Sequence, residues 1–282
     1  MPLAHLPDIM LEPLVRAALV EDLGRAADVT TEAVVAEGQV GGAALVARQT
    51  GVVAGLDLAR LAFCTLDPAT RFDVARPDGS EVKPGEVIAT VEGSARALLT
   101  AERTALNFLC HLSGIATATQ ILVKAARPHK ARICCTRKTT PGLRSVEKYA
   151  VRAGGGVNHR FGLDDAVLIK DNHIAMAGGV RIAVERARAA VGHLVKIELE
   201  VDTLDQLREA LELPIDAVLL DNMEPKTLVE AVALVGGRFI TEASGGITPA
   251  TVPSIAATGV DIISAGYLTH SAPALDIGLD FQ

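Results

Sequence analysis

Six short apolar runs in the second half of the chain end in residues whose types suit the binding of anions. In chain order the ends carry Arg137-Lys138, Lys170-Asp171-Asn172, Glu200, Asp221-Asn222, Ser244-Gly245-Gly246 and Ser264-Ala265-Gly266. Arginine makes paired hydrogen bonds to carboxylates and phosphates, and glycine-rich turns expose backbone N–H groups that bind phosphate. The cations exceed what one phosphate needs, so the set predicts a site for a small polyanion.

Two acids and a histidine extend this candidate site. Glu200 and Asp221 have no cation beside them in the sequence, which suits a Mg²⁺ ion held through substrate oxygens. Either acid could instead form an ion pair with Lys170. His159 stands beside Arg160 in a glycine-rich loop, and that setting makes it a better site candidate than a lone histidine, which is usually structural. No Ser-His-Asp or Cys-His set emerges, which argues against covalent acyl chemistry.

The elements that must position these residues alternate between strand and helix. The predicted strands are Arg132–Thr136, Ala166–Lys170, Lys196–Glu200, Ala217–Asp221, Phe239–Ala243 and Asp261–Ser264. The predicted helices are Ser145–Ala153, Val180–Val191, Thr203–Leu211, Pro225–Val235 and Pro249–Ala257. Alternation of this kind predicts a parallel sheet of βαβ units, closed or nearly closed into a (β/α) barrel whose strand ends share one mouth. A doubly wound sheet is the alternative, because the sequence does not show closure.

The first 112 residues have a different pattern, with short β-rich runs between two helical stretches, Ile9–Val20 and Ala95–Leu112. Turn signals such as Pro84-Gly85 separate the runs, and segment 78–93 is typical of a β-hairpin. A chain of 282 residues lies near the upper limit for one hydrophobic core. We therefore expect a small mixed α/β domain and a larger barrel domain.

Charge and composition limit the partners. The formal net charge is −7, with only six Phe, two Tyr and no Trp, which argues against nucleic acid. Segment 130–160, however, contains eight basic residues and a single acid, Glu147. Some of these cations could simply form a solvated helix face. The four cysteines fit neither a disulfide framework nor a metal motif. We find no signal peptide and expect charges, Gly and Pro to interrupt every apolar stretch before membrane-spanning length, so a cytoplasmic protein is expected.

Longer motifs carry a resemblance to a known family. The stretch TRKTTPGLRSVEKYAVRAGGGVNHRFGLDDAVLIKDNHI (136–174) resembles the quinolinate phosphoribosyltransferases. The similarity continues through EDLGRAADVTTEAV (21–34), LLTAERTALNFLCHLSGIAT (98–117), LLDNM (219–223), EASGGIT (242–248) and GVDIISAGYLTHSAPALDIGLD (259–280). Cys135 is a small departure, since the family often has Asp just ahead of TRKT.

The resemblance implies both a fold and a reaction. The fold is an N-terminal α/β sandwich, residues 1–112 joined by 270–282, and an incomplete (β/α) barrel, residues 113–269. The reaction converts quinolinate and phosphoribosyl pyrophosphate to nicotinate mononucleotide, pyrophosphate and CO₂ with Mg²⁺, a step of NAD biosynthesis. The resemblance also implies a homodimer with active sites at the interface.

Residue roles follow from the matching positions of the family. The resemblance implies that Thr136 belongs to the substrate site and that Arg103 enters from the adjacent subunit. It also implies a pocket for the quinolinate carboxylates and pyrophosphate formed by Arg137, Lys138, His159, Arg160 and Lys170. Glu200 and Asp221 would hold the ribose hydroxyls and Mg²⁺, directly or through substrate or water. Lys138, Lys170, Glu200 and Asp221 would be the catalytic set. The 5′-phosphate would lie on two loops, Ser244-Gly245-Gly246 and Ser264-Ala265-Gly266.

Three alternatives remain at the level of the sequence. One is a relative of the same fold associated with molybdenum utilisation, although intact TRKTTPGLR and NHR motifs favour quinolinate. Another is an aldolase that forms a Schiff base on Lys170, since a lysine at a barrel strand end suits that chemistry. The third is a metabolite-binding protein without turnover. The sequence leaves open whether Tyr267 or His270 contacts substrate.

Overall fold

Apolar runs bounded by turn residues become strands and helices in the computed structural model, which describes residues 3–281. Within this range the chain forms two compact units. The first comprises residues 3–120, 141–155 and 271–281, and the second comprises 121–140 and 156–270. The domain boundaries expected from the sequence stay a prediction. The compact units differ from them by placing segments 113–120 and 141–155 in the first unit and residue 270 in the second.

The first unit is built around an antiparallel sheet. Its elements are α1 (Asp8–Leu23), α2 (Val29–Val34), β1 (Val40–Ala47), β2 (Gly51–Val52), α3 (Leu56–Leu66), β3 (Arg71–Val74), β4 (Glu81–Val82), β5 (Val87–Ser94), α4 (Ala95–Ala126), α5 (Arg144–Ala153) and β12 (Ile277–Phe281). Residues 95–120 of α4 belong to this unit and the remainder of the helix to the second unit. The sheet order is β12-β1-β5-β3, and β2 pairs with β4. Leu45, Ile88, Leu109 and Ile277 pack together in its core. The predicted hairpin over 78–93 is wrong, because β4 and β5 join different sheets.

Helix α4 continues to Ala126, well beyond the predicted end at Leu112. It is long and apolar enough to cross a membrane by length and composition, so the expectation that every apolar stretch is interrupted was wrong here. However, 61% of its most apolar window is buried inside the protein. Burial of that extent is typical of a core helix, whose apolar face packs on other elements.

The second unit is an incomplete barrel. Its elements are β6 (Arg132–Cys134), β7 (Val167–Ile169), α6 (Asp171–Ala177), α7 (Val180–Ala190), β8 (Ile197–Val201), α8 (Leu204–Ala210), β9 (Ala217–Asp221), α9 (Pro225–Val235), β10 (Ile240–Ser244), α10 (Val252–Ala256), β11 (Ile262–Ser264) and α11 (Tyr267–His270). All six predicted strands are confirmed, and their pairs are parallel. The sheet order is β6-β11-β10-β9-β8-β7.

The pairing of β6 with β11 shows that the sheet wraps around. These are the first and last strands of the unit along the chain, so their contact brings the two ends of the series together. Between β6 and β7 the sheet is open, and there a single parallel bridge joins Cys134 to Val157. The second unit is therefore the expected incomplete (β/α) barrel, and the doubly wound alternative is wrong.

Two helix starts in the barrel were predicted from capping signals, and the structure confirms one of them. Thr203 and Gln206 form a reciprocal capping box at the start of α8, as the sequence predicts. The predicted helix start at Pro249 is wrong, because α10 begins at Val252. Hydrogen bonds between Thr248 and Thr251 hold a turn in that position instead.

Candidate active site

A cavity of about 780 Å³ lies at the carboxyl ends of the barrel strands. Most of the residues predicted from the strand ends and the histidine loop line it: Thr136, Arg137, Lys138, His159, Arg160, Lys170, Glu200, Asp221, Asn222, Ser244, Gly245, Gly246, Ser264, Ala265 and Gly266. Asp171 and Asn172, which also follow a strand, are in α6 and are not among the lining residues. Tyr267 and His270, whose contribution the sequence left open, line it as well. Arg103 belongs to the other unit, where it is exposed on α4.

Parallel register brings the strand ends to one level. Asp221 at the end of β9 is paired with Ser244 at the end of β10, and Ser264 at the end of β11 is paired with Cys134, two residues before Thr136. Since parallel strands all run in the same direction, the polar residues that follow them emerge on the same face of the barrel. The strand pattern of the sequence thus accounts for the composition of the cavity.

The basic residues between 130 and 160 do not all serve this cavity. Arg137, Lys138 and Arg160 line it. Lys130 instead pairs with Asp261, which precedes β11, at 2.6 Å, and Lys148 is fully buried in the first unit. The charge run is therefore divided among several sites, and only part of it supplies the anion pocket.

Arg160 is held in a setting that favours an anionic ligand. Its Nη1 donates to the carbonyl oxygen of Ala166 at 3.0 Å, while its Nε is buried and has no hydrogen-bond partner within the described chain. Burial, with the neighbouring Arg137 guanidinium, lowers the pKa of Arg160. An entering carboxylate or phosphate would satisfy the buried N–H group and reduce the repulsion between the two guanidinium groups.

The two acids of the mouth have different partners. Lys170 Nζ donates to Glu200 Oε2, so Glu200 takes the ion-pair role that the sequence left open for either acid. Asp221 accepts from the Ser244 hydroxyl at Oδ1 and from Asn222 Nδ2 at Oδ2, the latter at 2.6 Å. The backbone N–H of Lys170 donates to His173 Nδ1 at 2.9 Å, which fixes the start of α6.

A second layer of polar groups lies just inside the mouth. His159 Nδ1 accepts from the backbone N–H of Arg160 at 2.8 Å, so in this geometry the ring proton lies on Nε2. Nε2 donates to Glu198 Oε2 at 2.9 Å and lies 3.7 Å from Glu242 Oε1. His159 therefore stands in the cavity wall with both ring nitrogens hydrogen-bonded.

Glu242 is the most perturbed acid of this layer. Glu242 is only 5% exposed, and its Oε1 has no hydrogen-bond partner within the described chain. Burial, followed by the charge of Glu198, raises the pKa of Glu242 to about 7. Sequence reasoning missed both glutamates. Their signal is the strand period of two, because Glu198 and Glu242 stand two residues before Glu200 and Ser244 and share their faces.

Two groups of acids could be considered for a metal ion. The ligand atoms of His159, Glu198 and Glu242 lie within 4.8 Å of one another, but the proton on Nε2 occupies the position that a metal would need. That inner group does not fit a metal ion in this tautomer. At the mouth, Glu200 and Asp221 offer carboxylate oxygens beside open space, the donor type that Mg²⁺ prefers together with water and phosphate oxygens.

The loop after β10 is shaped by two glycines. Gly245 and Gly246 have φ values of +89° and +61°, a region open to glycine at little cost. Since α10 begins at Val252, the loop is not followed at once by a helix. The backbone N–H groups of a glycine turn that lines the cavity are of the kind that suits an anionic ligand.

Known proteins of similar sequence and structure cover the whole of this chain. The quinolinate phosphoribosyl transferase N-terminal domain matches residues 28–113, and the C-terminal domain of the same family matches residues 115–280. A probable nicotinate-nucleotide pyrophosphorylase [carboxylating] of Bacillus subtilis is 45% identical over 272 residues, 96% of this chain and 93% of that protein.

A second relative and a solved structure agree with these matches. The nicotinate-nucleotide pyrophosphorylase [carboxylating] of Mycobacterium leprae is 46% identical over 274 residues, 94% of this chain and 95% of that protein. The crystal structure of NadC from Streptococcus pyogenes superposes with a TM-score of 0.95 at 39% identity, covering 99% of each chain. The match to this solved structure covers both units of the present chain.

Proposed function

The chain belongs to the quinolinate phosphoribosyltransferase family, and we propose that it transfers phosphoribose from phosphoribosyl pyrophosphate to quinolinate with loss of CO₂. The products are nicotinate mononucleotide, pyrophosphate and CO₂, and the reaction depends on Mg²⁺. The observation that carries the proposal is the single cavity in which guanidinium groups, two carboxylates and a glycine turn converge.

The cations account for the binding of quinolinate. Arg137 stands close enough to Arg160 for its charge to lower the pKa of Arg160, and two guanidinium groups suit a ligand with two carboxylates. His159, donating to Glu198 and accepting from the backbone of Arg160, helps to fix that side of the pocket. The pyridine ring is then oriented by its carboxylates, in keeping with the scarcity of aromatic residues.

The acids account for the ribose. Displacement at the anomeric carbon develops positive charge on the sugar, and carboxylates held nearby stabilise that charge. Asp221, bound by the Ser244 hydroxyl and the Asn222 amide, is fixed for this role. Glu200 is held in the same way by Lys170. When Mg²⁺ is bound, it would neutralise charge on the departing pyrophosphate, with Glu200 and Asp221 holding it directly or through substrate or water.

Decarboxylation needs little from the chain. After the transfer, loss of CO₂ leaves an electron pair on the ring carbon next to the positively charged nitrogen, which stabilises the pair as an ylide, and a proton then binds to that carbon. The residues of the pocket mainly hold the ring and its carboxylates in place. No nucleophilic side chain takes part in this scheme.

We further propose a homodimer in which Arg103 serves the active site of the adjacent subunit. Arg103 is exposed on α4, and the same unit exposes several large apolar side chains, among them Ile9, Val20 and Val34, which are 80%, 69% and 78% exposed. Apolar side chains of this exposure are common where a second chain binds.

The test is release of CO₂ from carboxyl-labelled quinolinate, measured with and without phosphoribosyl pyrophosphate and Mg²⁺. We expect release only when both are present. No release under any condition would refute the proposal and favour the relative of the molybdenum type or a binding protein without turnover. Borohydride trapping of a carbonyl substrate on Lys170 would support the aldolase, although its ion pair with Glu200 would first have to break.

A further inference from the structure

Asn222 has an unusual backbone for its position. It directly follows the last residue of β9, yet its φ is +53°. Within residues 3–281, Ala27 is the other non-glycine residue with positive φ, at +57°. Asparagine tolerates this region better than most residues, and outliers of this kind cluster at functional sites.

The positive φ has a direct consequence for the side chain. In an extended strand, neighbouring side chains point to opposite faces of the sheet, so Asn222 could not reach Asp221 if β9 simply continued. The change of conformation at Asn222 breaks this alternation and brings Nδ2 to 2.6 Å from Asp221 Oδ2. The backbone N–H of Asn222 meanwhile donates to the Ser244 carbonyl at 2.9 Å, which holds the turn against β10.

Two further contacts complete the arrangement. The Ser244 hydroxyl donates to the other oxygen of Asp221, so the carboxylate is held on both sides. Gly245 lies against the Asn222 amide so closely that a Cβ there would be 2.0 Å from Oδ1. A glycine at 245 is therefore needed for the amide to keep this orientation.

We propose that Asn222 is a positioning residue that fixes the Asp221 carboxylate for the ribose end of phosphoribosyl pyrophosphate. The inference rests on the proposed function, in which Asp221 serves the ribose. A carboxylate held on one side only can rotate about its side-chain bonds, and small misplacements of a reacting group lower catalytic rates strongly. Asn222 thus acts through Asp221 and need not contact the substrate.

The first experiment compares Asn222→Gly with Ala27→Gly. Both replace a residue of positive φ by glycine, which relieves backbone strain, but only the first removes an amide from Asp221. We expect neither variant to lower the melting temperature. Asn222→Gly should lower kcat/KM for phosphoribosyl pyrophosphate about 10-fold or more, with quinolinate affinity unchanged by calorimetry. Ala27→Gly should match the wild type in both measurements.

The second experiment asks whether Asn222 acts through Asp221. Asn222→Gly is combined with Asp221→Asn, and the fold-change that it causes is compared in the two backgrounds. We expect the effect to fall below about twofold once the carboxylate is gone, because the amide then has no charge to orient. Asn222→Asp, which keeps the shape but places a second carboxylate beside Asp221, should be worse than Asn222→Gly.

The outcomes separate this inference from the proposed function. If the wild type releases no CO₂ from labelled quinolinate, the proposed function fails. If the wild type is active and Asn222→Gly has the same kcat/KM for phosphoribosyl pyrophosphate, the positioning role is overturned. It is also overturned if Asn222→Gly lowers the affinity for quinolinate as strongly as it lowers that kcat/KM. An unchanged effect of Asn222→Gly in the Asp221→Asn background also overturns it, because Asn222 would then act independently of Asp221.

Discussion

Replacement of Glu242 by glutamine offers a quantitative test of the second layer of polar groups, formed by His159, Glu198 and Glu242. Glu242 is buried against Glu198 and His159, and burial is the largest cause that raises its pKa from 4.5 to about 7. The Glu198 charge acts in the same direction, whereas His159 and the Ser264 hydroxyl oppose it. Between these pH values the folded protein keeps a proton that the unfolded chain has lost.

The sign and size of the effect follow from proton linkage. Because the folded state binds more protons than the unfolded state in this window, the free energy of unfolding falls as the pH rises from 4.5 towards 7. The difference between 4.5 and about 7 corresponds to roughly 3 kcal/mol. Glutamine keeps nearly the same volume and is neutral at every pH, so Glu242→Gln removes this dependence.

The assay is urea unfolding of the ligand-free protein at pH 4.5 and pH 8. Relative to the wild type, Glu242→Gln should gain up to about 3 kcal/mol of stability between the two pH values. Glu209→Gln, at an exposed helical glutamate, is the control and should show no comparable gain. Parallel pH profiles for Glu242→Gln and the wild type would refute the reasoning, because Glu242 would then titrate as it does in the unfolded chain.

Three further predictions concern the cavity and the dimer. Arg137→Ala and Arg160→Ala should each weaken quinolinate binding by about 1.5–3 kcal/mol, the worth of one set of charged hydrogen bonds; calorimetry measures this, and unchanged affinity in both would contradict the pocket assignment. His159→Asn places an amide oxygen near the position of Nδ1, where it can accept from the Arg160 N–H, whereas His159→Gln places its amide near the position of Nε2, which contacts Glu198. Quinolinate KM should therefore rise less in the asparagine variant; the reverse order would show that the contact with Glu198 matters more. Mixing inactive Arg103→Ala and Lys138→Ala proteins should partly restore activity if sites are shared between subunits, and failure to do so in demonstrated heterodimers would place Arg103 outside the partner's site.

Much of the barrel and of the cavity lining could be predicted from local sequence signals. Buried parallel strands need continuous apolar runs, so the six strands were recognisable, and the polar residues after them followed from the chain direction. Thr203 and Gln206 likewise fixed the start of α8 through contacts three residues apart. Local prediction failed at Pro249, where a proline suited to a helix start lies in a turn held by Thr248 and Thr251.

The sequence by itself determined which residue types stand at the strand ends, because strand period and turn chemistry act over a few residues. Only the tertiary structure decided that β6 pairs with β11, that Lys170 takes Glu200 as its partner, and that His159 is hydrogen-bonded to Glu198. It also revealed the perturbed Glu242 and the turn of Asn222 over Asp221. Each of these depends on groups from separate strands and loops, whose distance and burial are set by the packing of the whole barrel.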